Sequence, residues 1–377
     1  MSDIQRIDTV VIGAGAAGLT AAYSLKALGQ EPLKDFAVLD EQPGPGGTWR
    51  RAWDFLTIKE ALRSGELVDL AGQAEIGLSF NDLEHSLLAR DVVPRVWQGY
   101  EDAYDLYVAH SLRVVKVESR LRRDEMRVTV EHANGRRTQY ETLLVINATG
   151  TWSAPFVPWY RGLNRYSGET THAQVIETLQ PFAGKRVLVV GGGRTAVSVL
   201  LELERLGAQM FWATRREPDF LEPPRFSLQR GRQLTVGEVG LNSRRRVERL
   251  AARGKPMPSD VAVRGLPMTR TIFDAVRRGT LTSRGPIHHF TESGVEFEDG
   301  SFEAVDAVVW ATGGRESARH LSPLGLRDAG GTPKISGGWS RRDQRVAFLG
   351  YGPGVETTDA LDQAIEVSED VIDRLID

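Results

Sequence analysis

Two short glycine-rich stretches carry the chemistry open to this chain. Gly13-Ala14-Gly15-Ala16-Ala17-Gly18 and Gly191-Gly192-Gly193-Arg194-Thr195-Ala196 each follow an apolar run (Val10-Val11-Ile12; Val187-Leu188-Val189-Val190) and each open a helical pattern. A strand, a glycine loop and a helix in that order bind the pyrophosphate of a dinucleotide. The first glycine permits a tight turn, the second clears space for the phosphates, and the third small residue lets helix and strand pack closely. The helix N-terminus adds unpaired N–H groups and a positive dipole. One such loop is weak evidence, because small residues recur at that spacing by chance. Two of them about 180 residues apart, in the same context, are strong. One site makes a dehydrogenase; two suit a nicotinamide coenzyme that reduces a bound flavin. Gly13, Gly15, Ala17 and Gly18 in the first loop, and Gly191, Gly193, Arg194 and Thr195 in the second, are the candidate contacts.

The end of the next strand in each unit separates the two cofactors. Phe36-Ala37-Val38-Leu39 runs into Asp40 and Glu41, and Asp40 lies 22 residues beyond Gly18. An acid there accepts hydrogen bonds from a ribose and repels a 2′-phosphate, so this site suits FAD or NAD and not NADP. A carboxylate that merely ends a strand is the alternative. Met210-Phe211-Trp212-Ala213 runs instead into Thr214, Arg215 and Arg216, with Arg215 24 residues after Gly191. A guanidinium at that place pairs a 2′-phosphate, which favours NADPH and leaves NADH tolerated.

Gly44-Pro45-Gly46-Gly47-Thr48-Trp49 follows directly from the first acidic strand end. With this element the chain resembles the flavin-containing monooxygenase superfamily, in which Gly-Gly-Thr-Trp borders the flavin. The adjoining Arg50, Trp53 and Asp54 are similar to the small bacterial FAD- and NAD(P)H-dependent class B members. Tyr166-Ser167-Gly168-Glu169-Thr170-Thr171-His172-Ala173-Gln174-Val175-Ile176 is close to the monooxygenase signature, with Tyr in place of Phe at its start and Ile176 in place of the closing aromatic. Baeyer–Villiger members carry Trp at that last position, so ketone oxygenation is disfavoured. The resemblance implies that Gly47, Thr48 and Trp49 border the flavin and that Val114 meets the adenine. It also implies that Ala148-Thr149-Gly150 and Ala311-Thr312-Gly313 bring small residues to ligand-binding strand ends, and that Gly350 and Thr357 approach the flavin where the last helix begins. Trp49, Trp53, Asp54 and His172 are the catalytic candidates. His172 invites an acid–base role, although a lone His in such a linker is more commonly a structural hydrogen-bonder.

The implied activity is oxygenation of a nucleophilic nitrogen or sulfur by one atom of O2 through a C4a-peroxyflavin, with FAD reduced by NADPH. A flavin reductase or oxidase without oxygen insertion needs the same two sites and stays open, as does Baeyer–Villiger oxygenation. A flavin-loaded, redox-responsive binding protein is the reading from outside enzymology. The expected partners are a small-molecule substrate and O2, with a homodimer left open.

These sites require an α/β fold of two Rossmann-like dinucleotide-binding domains, the second inserted into the first: residues 1–155 and 306–377 for FAD, and 156–305 for NADPH. Leu112–Val117 and Met126–Glu131 read as a hairpin layer over the first domain. Ile287–Phe297 and Glu303–Trp310 read as further strands around a Glu298-Asp299-Gly300 turn. Residues 218–264, with Pro223-Pro224, Pro256 and Pro258, read as an excursion beside the cleft or a surface insertion. The closing helix is capped at Thr357 or Thr358, with core positions Leu361, Ala364, Ile365, Ile372 and Leu375.

Composition limits the alternatives. The net charge of −3 over 377 residues leaves no nucleic-acid footprint. Residues 215–284 nevertheless hold 16 Lys and Arg against 7 Asp and Glu, which suits a polyanionic coenzyme or simply a solvated helical surface. There is no cysteine, so this chain has neither disulfide staples nor thiol relays, and a reducing cytoplasm is the expected compartment. No metal site is expected. No apolar run approaches the roughly 20 residues of a membrane span.

Overall fold

Val10, Val11 and Ile12 are apolar in succession, so the strand they form must be covered on both faces. The computed structural model of the protein describes residues 4–120, 124–221, 266–327, 332–352 and 355–376. In it, Thr9–Ile12 lies between Leu144–Asn147 and Phe36–Leu39 in a six-stranded sheet ordered Ile335–Ser336, Trp339–Ser340, Val346–Phe348, Leu144–Asn147, Thr9–Ile12, Phe36–Leu39. The last four strands are parallel and the first two join antiparallel. One face is covered by the helices Ala16–Ala27 and Thr357–Ile376, which share a buried cluster containing Leu19, Leu25, Ala364 and Val371. The other face carries the expected hairpin layer. Leu112–Ser119, Met126–His132 and Arg137–Thr142 pair antiparallel, and Val117 and Val128 pack against Val10 and Val145.

The closing helix is rotated slightly from its expected setting. Ile365 is 36% exposed, and the buried stripe runs through Leu361, Ala364, Val367 and Val371. Ile372 and Leu375 pack at its edge. Valines at 367 and 371 follow Ala364 at helical spacing, which turns Ile365 outward.

A second parallel sheet repeats the plan, in the order Gln209–Ala213, Arg186–Val190, Ala307–Trp310, Glu169–His172. The helix Arg194–Arg205 covers one face through Ala196, Leu200 and Leu203. The antiparallel strands Ile287–Phe290, Gly294–Phe297 and Phe302–Ala304 cover the other through Phe290, Val295 and Phe297. The continuous strand expected over 287–297 is broken by a turn in which Thr291 N donates to Gly294 O at 2.9 Å. Ala307–Trp310 pairs in register with both Arg186–Val190 and Glu169–His172. The chain therefore stays in the second sheet through Trp310, and the division expected between 305 and 306 falls too early. The two crossings between the halves run side by side, with Phe156 N on Gly313 O at 3.0 Å and Ser317 N on Gly150 O at 3.1 Å. Most of the excursion expected at 218–264 lies outside the described residues.

Candidate cofactor-binding cleft

The two glycine loops are anchored alike. Gly13 N donates to Leu39 O at 2.8 Å and Gly191 N to Ala213 O at 3.0 Å, while Ala148 N meets Ile12 O and Ala311 N meets Val190 O, both at 2.8 Å. Each Ala-Thr-Gly element thus lies against the loop of its own sheet. Gly13 has φ +100° and Gly191 φ +138°. A Cβ would stand 2.7 Å from Ala148 O at the first position and 2.1 Å from Ala311 O at the second, so glycine is required at both. At Gly18 a Cβ would fall 1.8 Å from Gly13 O, which makes that glycine a helix–strand packing residue. Gly15 differs: a Cβ there would meet nothing within 4 Å. Its bare backbone faces open space, as close approach by a phosphate needs.

That space is a cleft of about 950 Å³, large for a small-ligand site. Gly13, Gly15, Ala17, Asp40, Glu41, Gly47, Thr48, Trp49, Trp53, Val114, Ala148, Thr149, Gly150, Gly350 and Thr357 all line it. Thr195 and Ser198, from the helix that follows the second loop, line the same cleft. Gly47 packs on the first loop, where its Cβ would lie 3.2 Å from the Gly15 Cα. The Thr357–Ile376 helix begins at the cleft, with Thr357 Oγ1 donating to Glu66 O at 3.1 Å.

Sequence reasoning missed several lining residues. Trp97 Nε1, Trp152 Nε1 and Gln174 Oε1 are buried polar atoms with no protein partner, and all three residues line the cleft. Burying such groups unmet costs on the order of 1–3 kcal/mol each, so a bound group with its own donors and acceptors would be stabilised there. The open backbone at Gly15, the acid at the strand end and these unmet atoms fit a dinucleotide. No local pattern announces them, because each reaches the cleft from a different segment.

Asp40 is 6% exposed, and its carboxylate accepts from Ala14 N and from Gln42 N, each at 3.2 Å. His110 stands 3.4 Å from Asp40 and 3.0 Å from Glu101. Burial opposes a charged imidazole, but the two carboxylates outweigh it and raise His110 to about 9. The ring is therefore cationic at neutral pH and sits behind the expected ribose partner. Burial in turn raises Glu101 above the usual carboxylate range.

Other expected residues stand away from the cleft. Gly193 caps the N-terminus of Arg194–Arg205. Arg194 donates to Glu356 Oε1 and to Ser64 O, each at 2.7 Å, and so ties the halves together. Thr214 is buried, with its hydroxyl 2.6 Å from that of Ser283. Arg215 is exposed at the strand end and makes no ion pair among the described residues. Thr312 Oγ1 donates to Phe156 O, which fixes a crossing segment.

The catalytic candidates divide in the same way. Trp49 lines the cleft from the short 3-10 turn Gly47–Arg51. Trp53 is buried, stacks on Phe55 at 5.2 Å and donates from Nε1 to Ala173 O at 3.0 Å, so it joins the two halves as well as lining the cleft. Asp54 does not line it; its backbone N donates to Glu177 O at 3.0 Å. His172 is 5% exposed, and its Nδ1 accepts from Gln174 N at 3.1 Å. Burial lowers His172 below the usual imidazole range, against the carbonyls of Gly313 and Phe156. The ring ends the strand Glu169–His172, and its Nε2 is buried without a hydrogen-bond partner among the described residues.

A family model described as pyridine nucleotide-disulphide oxidoreductase matches residues 10–229. The chain belongs to this family. Flavin-containing monooxygenases are among its relatives, in accord with the resemblance carried by the motifs. Indole-3-pyruvate monooxygenase YUCCA1 from Oryza sativa subsp. japonica is 26% identical over 355 residues, covering 85% of this chain and 79% of the relative. Senecionine N-oxygenase from Tyria jacobaeae is 22% identical, covering 83% of this chain but only 59% of that relative's length. A double mutant of the flavin monooxygenase from Stenotrophomonas maltophilia superposes with a TM-score of 0.77 at 27% identity, covering 98% of this chain and 99% of the other. The family description mentions disulphides, but this chain has no cysteine to form one. No helix among the described residues is long and apolar enough to cross a membrane.

Proposed function

We propose that the protein is an FAD-dependent, NADPH-reduced monooxygenase that transfers one oxygen atom of O2 to a nucleophilic nitrogen or sulfur of a small molecule. One observation carries this reading: the first glycine loop and two residues of the second loop's helix, Thr195 and Ser198, open onto a single cleft. Two dinucleotides held at one space can exchange a hydride. In this reading the two parallel sheets are two Rossmann-like units, the second inserted into the first. The flavin monooxygenase and N-oxygenase relatives support the substrate class, and a buried Ile176 in place of Trp argues against ketones.

Bound FAD supplies the redox and oxygen chemistry. The protein's part is binding, orientation and exclusion of water. The bare Gly15 backbone and the N-terminus of Ala16–Ala27 take the pyrophosphate, and Asp40 takes the adenosine ribose. Gly47, Thr48 and Trp49 border the ring system. The start of Thr357–Ile376 directs its positive dipole at the ring and favours its reduced, anionic form. Arg215 takes the NADPH 2′-phosphate. Trp97, Trp152 and Gln174 supply a wall and the remaining hydrogen bonds, in a site that must stay water-poor.

The test is a product balance. Purified protein loaded with FAD, turning over NADPH in air with thioanisole, should form close to one sulfoxide per NADPH. Hydrogen peroxide alone, with no oxygenated product from amines or sulfides, points instead to a reductase or oxidase.

A further inference from the structure

We propose that His288, His289 and Glu296 form a binding site for one borderline divalent cation, zinc foremost, on the three-stranded antiparallel sheet. Adjacent residues of a regular strand point to opposite faces, so the pair His288-His289 is not expected to converge. Here the pairing slips. Ile287 lies opposite Phe297 and His289 opposite Glu296, so His288 is the extra residue of a bulge. Two residues of one strand then face a single residue of the other, and both rings turn toward the same carboxylate.

The distances suit a metal. The two Nδ1 atoms are 3.0 Å apart, and Glu296 Oε1 lies 3.4 Å from that of His288 and 3.9 Å from that of His289. Ligands about 2.0–2.1 Å from a tetrahedral zinc stand roughly 3.3–3.4 Å from one another, so these atoms outline one face of such a tetrahedron. Two imidazoles and a carboxylate are also the donor types that borderline divalent ions take. Without an ion, the two Nδ1 atoms can share at most one proton. His288 is half-exposed, which leaves the fourth position open to water. The flanking Ile287 and Phe290 are buried beside Tyr166 and Trp310, so an ion at this point would clip the hairpin that backs the second parallel sheet. Zinc is redox-inert, and the site does not depend on the oxygenase reading.

Calorimetric titration of the full chain with zinc chloride, after dialysis against chelator, tests the site. The expected result is one zinc per chain. His288→Ala/His289→Ala should weaken uptake at least tenfold and Glu296→Gln should weaken it several-fold. Cobalt in place of zinc should give the intense visible absorption of a tetrahedral ion. His288→Gln, at an exposed position, is the milder variant should the double substitution disturb folding, and it should also lose affinity. No zinc uptake by the unaltered protein overturns the proposal, as does undiminished uptake by the histidine variants.

Discussion

Arg194 and Glu356 meet at 2.7 Å across the seam between the two parallel sheets, one opening the helix of the second glycine loop and the other standing just before the helix that begins at the cleft. Their side chains are only 23% and 20% exposed, so the pair is partly shielded from solvent. Arg194 also holds Ser64 O at 2.7 Å. The contact fixes the second glycine loop relative to the cleft, and the proposed hydride transfer would be sensitive to such placement.

Arg194→Ala and Glu356→Gln should therefore share one phenotype: a several-fold lower kcat with NADPH, and a double variant little worse than either single one. Steady-state kinetics on the three variants decides this. If Arg194 instead binds the coenzyme, as its place in the loop suggests, Arg194→Ala will raise the KM for NADPH and Glu356→Gln will not.

The glycines of the first loop separate folding from binding. Gly13→Ala places a Cβ 2.7 Å from a carbonyl oxygen at φ +100°, so it should destabilise the protein by on the order of 1–3 kcal/mol whether or not FAD is bound. Gly15→Ala meets no protein atom within 4 Å. It should leave the melting temperature of the FAD-free protein unchanged and weaken FAD about tenfold or more, which is about 1.4 kcal/mol. Flavin fluorescence titration and thermal melts measure the two effects. Unaltered FAD affinity in Gly15→Ala would remove the pyrophosphate from that loop.

The parts of this arrangement that were legible in the sequence are local. Phe36–Leu39 and the turn glycines are fixed by neighbours a few residues away, and Asp40 follows because it ends that strand. Contacts distant in sequence were not legible. Ala307–Trp310 reads as a strand from its own residues, but only pairing with Arg186–Val190 shows which sheet it joins. Arg194 reads from its loop alone as a coenzyme contact, and its partner 162 positions away shows only in the fold. His110 carries no motif, and becomes notable only once Asp40 and Glu101 flank it. The His288–His289 pair depends on a register slip that residue types do not encode.

Arg215 should set coenzyme preference. It is exposed at the end of Gln209–Ala213, without an ion-pair partner among the described residues, and is free to meet a phosphate. Losing one charged partner of the 2′-phosphate costs roughly 1.5–3 kcal/mol, about ten- to a hundredfold in kcat/KM. Arg215→Ala should lose that much with NADPH and almost nothing with NADH. Equal losses with both coenzymes would assign Arg215 to the fold or to the pyrophosphate.

Stability should peak near pH 6.5, with two histidines shaping the flanks. His320 is buried, its Nε2 2.8 Å from Asn147 Oδ1, and burial alone lowers it from 6.5 to about 4. The unfolded chain then takes up its proton first, so stability falls as pH drops from 6.5 toward 4, by up to roughly 3 kcal/mol. His110 acts with the opposite sign. Its folded-state value of about 9 lies above the usual 6.5, so its stabilisation is complete below 6.5 and is lost as pH rises toward 9. Melting temperatures of the FAD-free protein across this range should show both flanks. His320→Gln should flatten the acid flank and leave the alkaline one, and His110→Gln should do the reverse. An acid flank that His320→Gln leaves untouched would shift the effect to His172, which burial also lowers below the usual imidazole range; Asp343, held by the Arg345 guanidinium below the usual carboxylate range, loses its stabilisation only at lower pH.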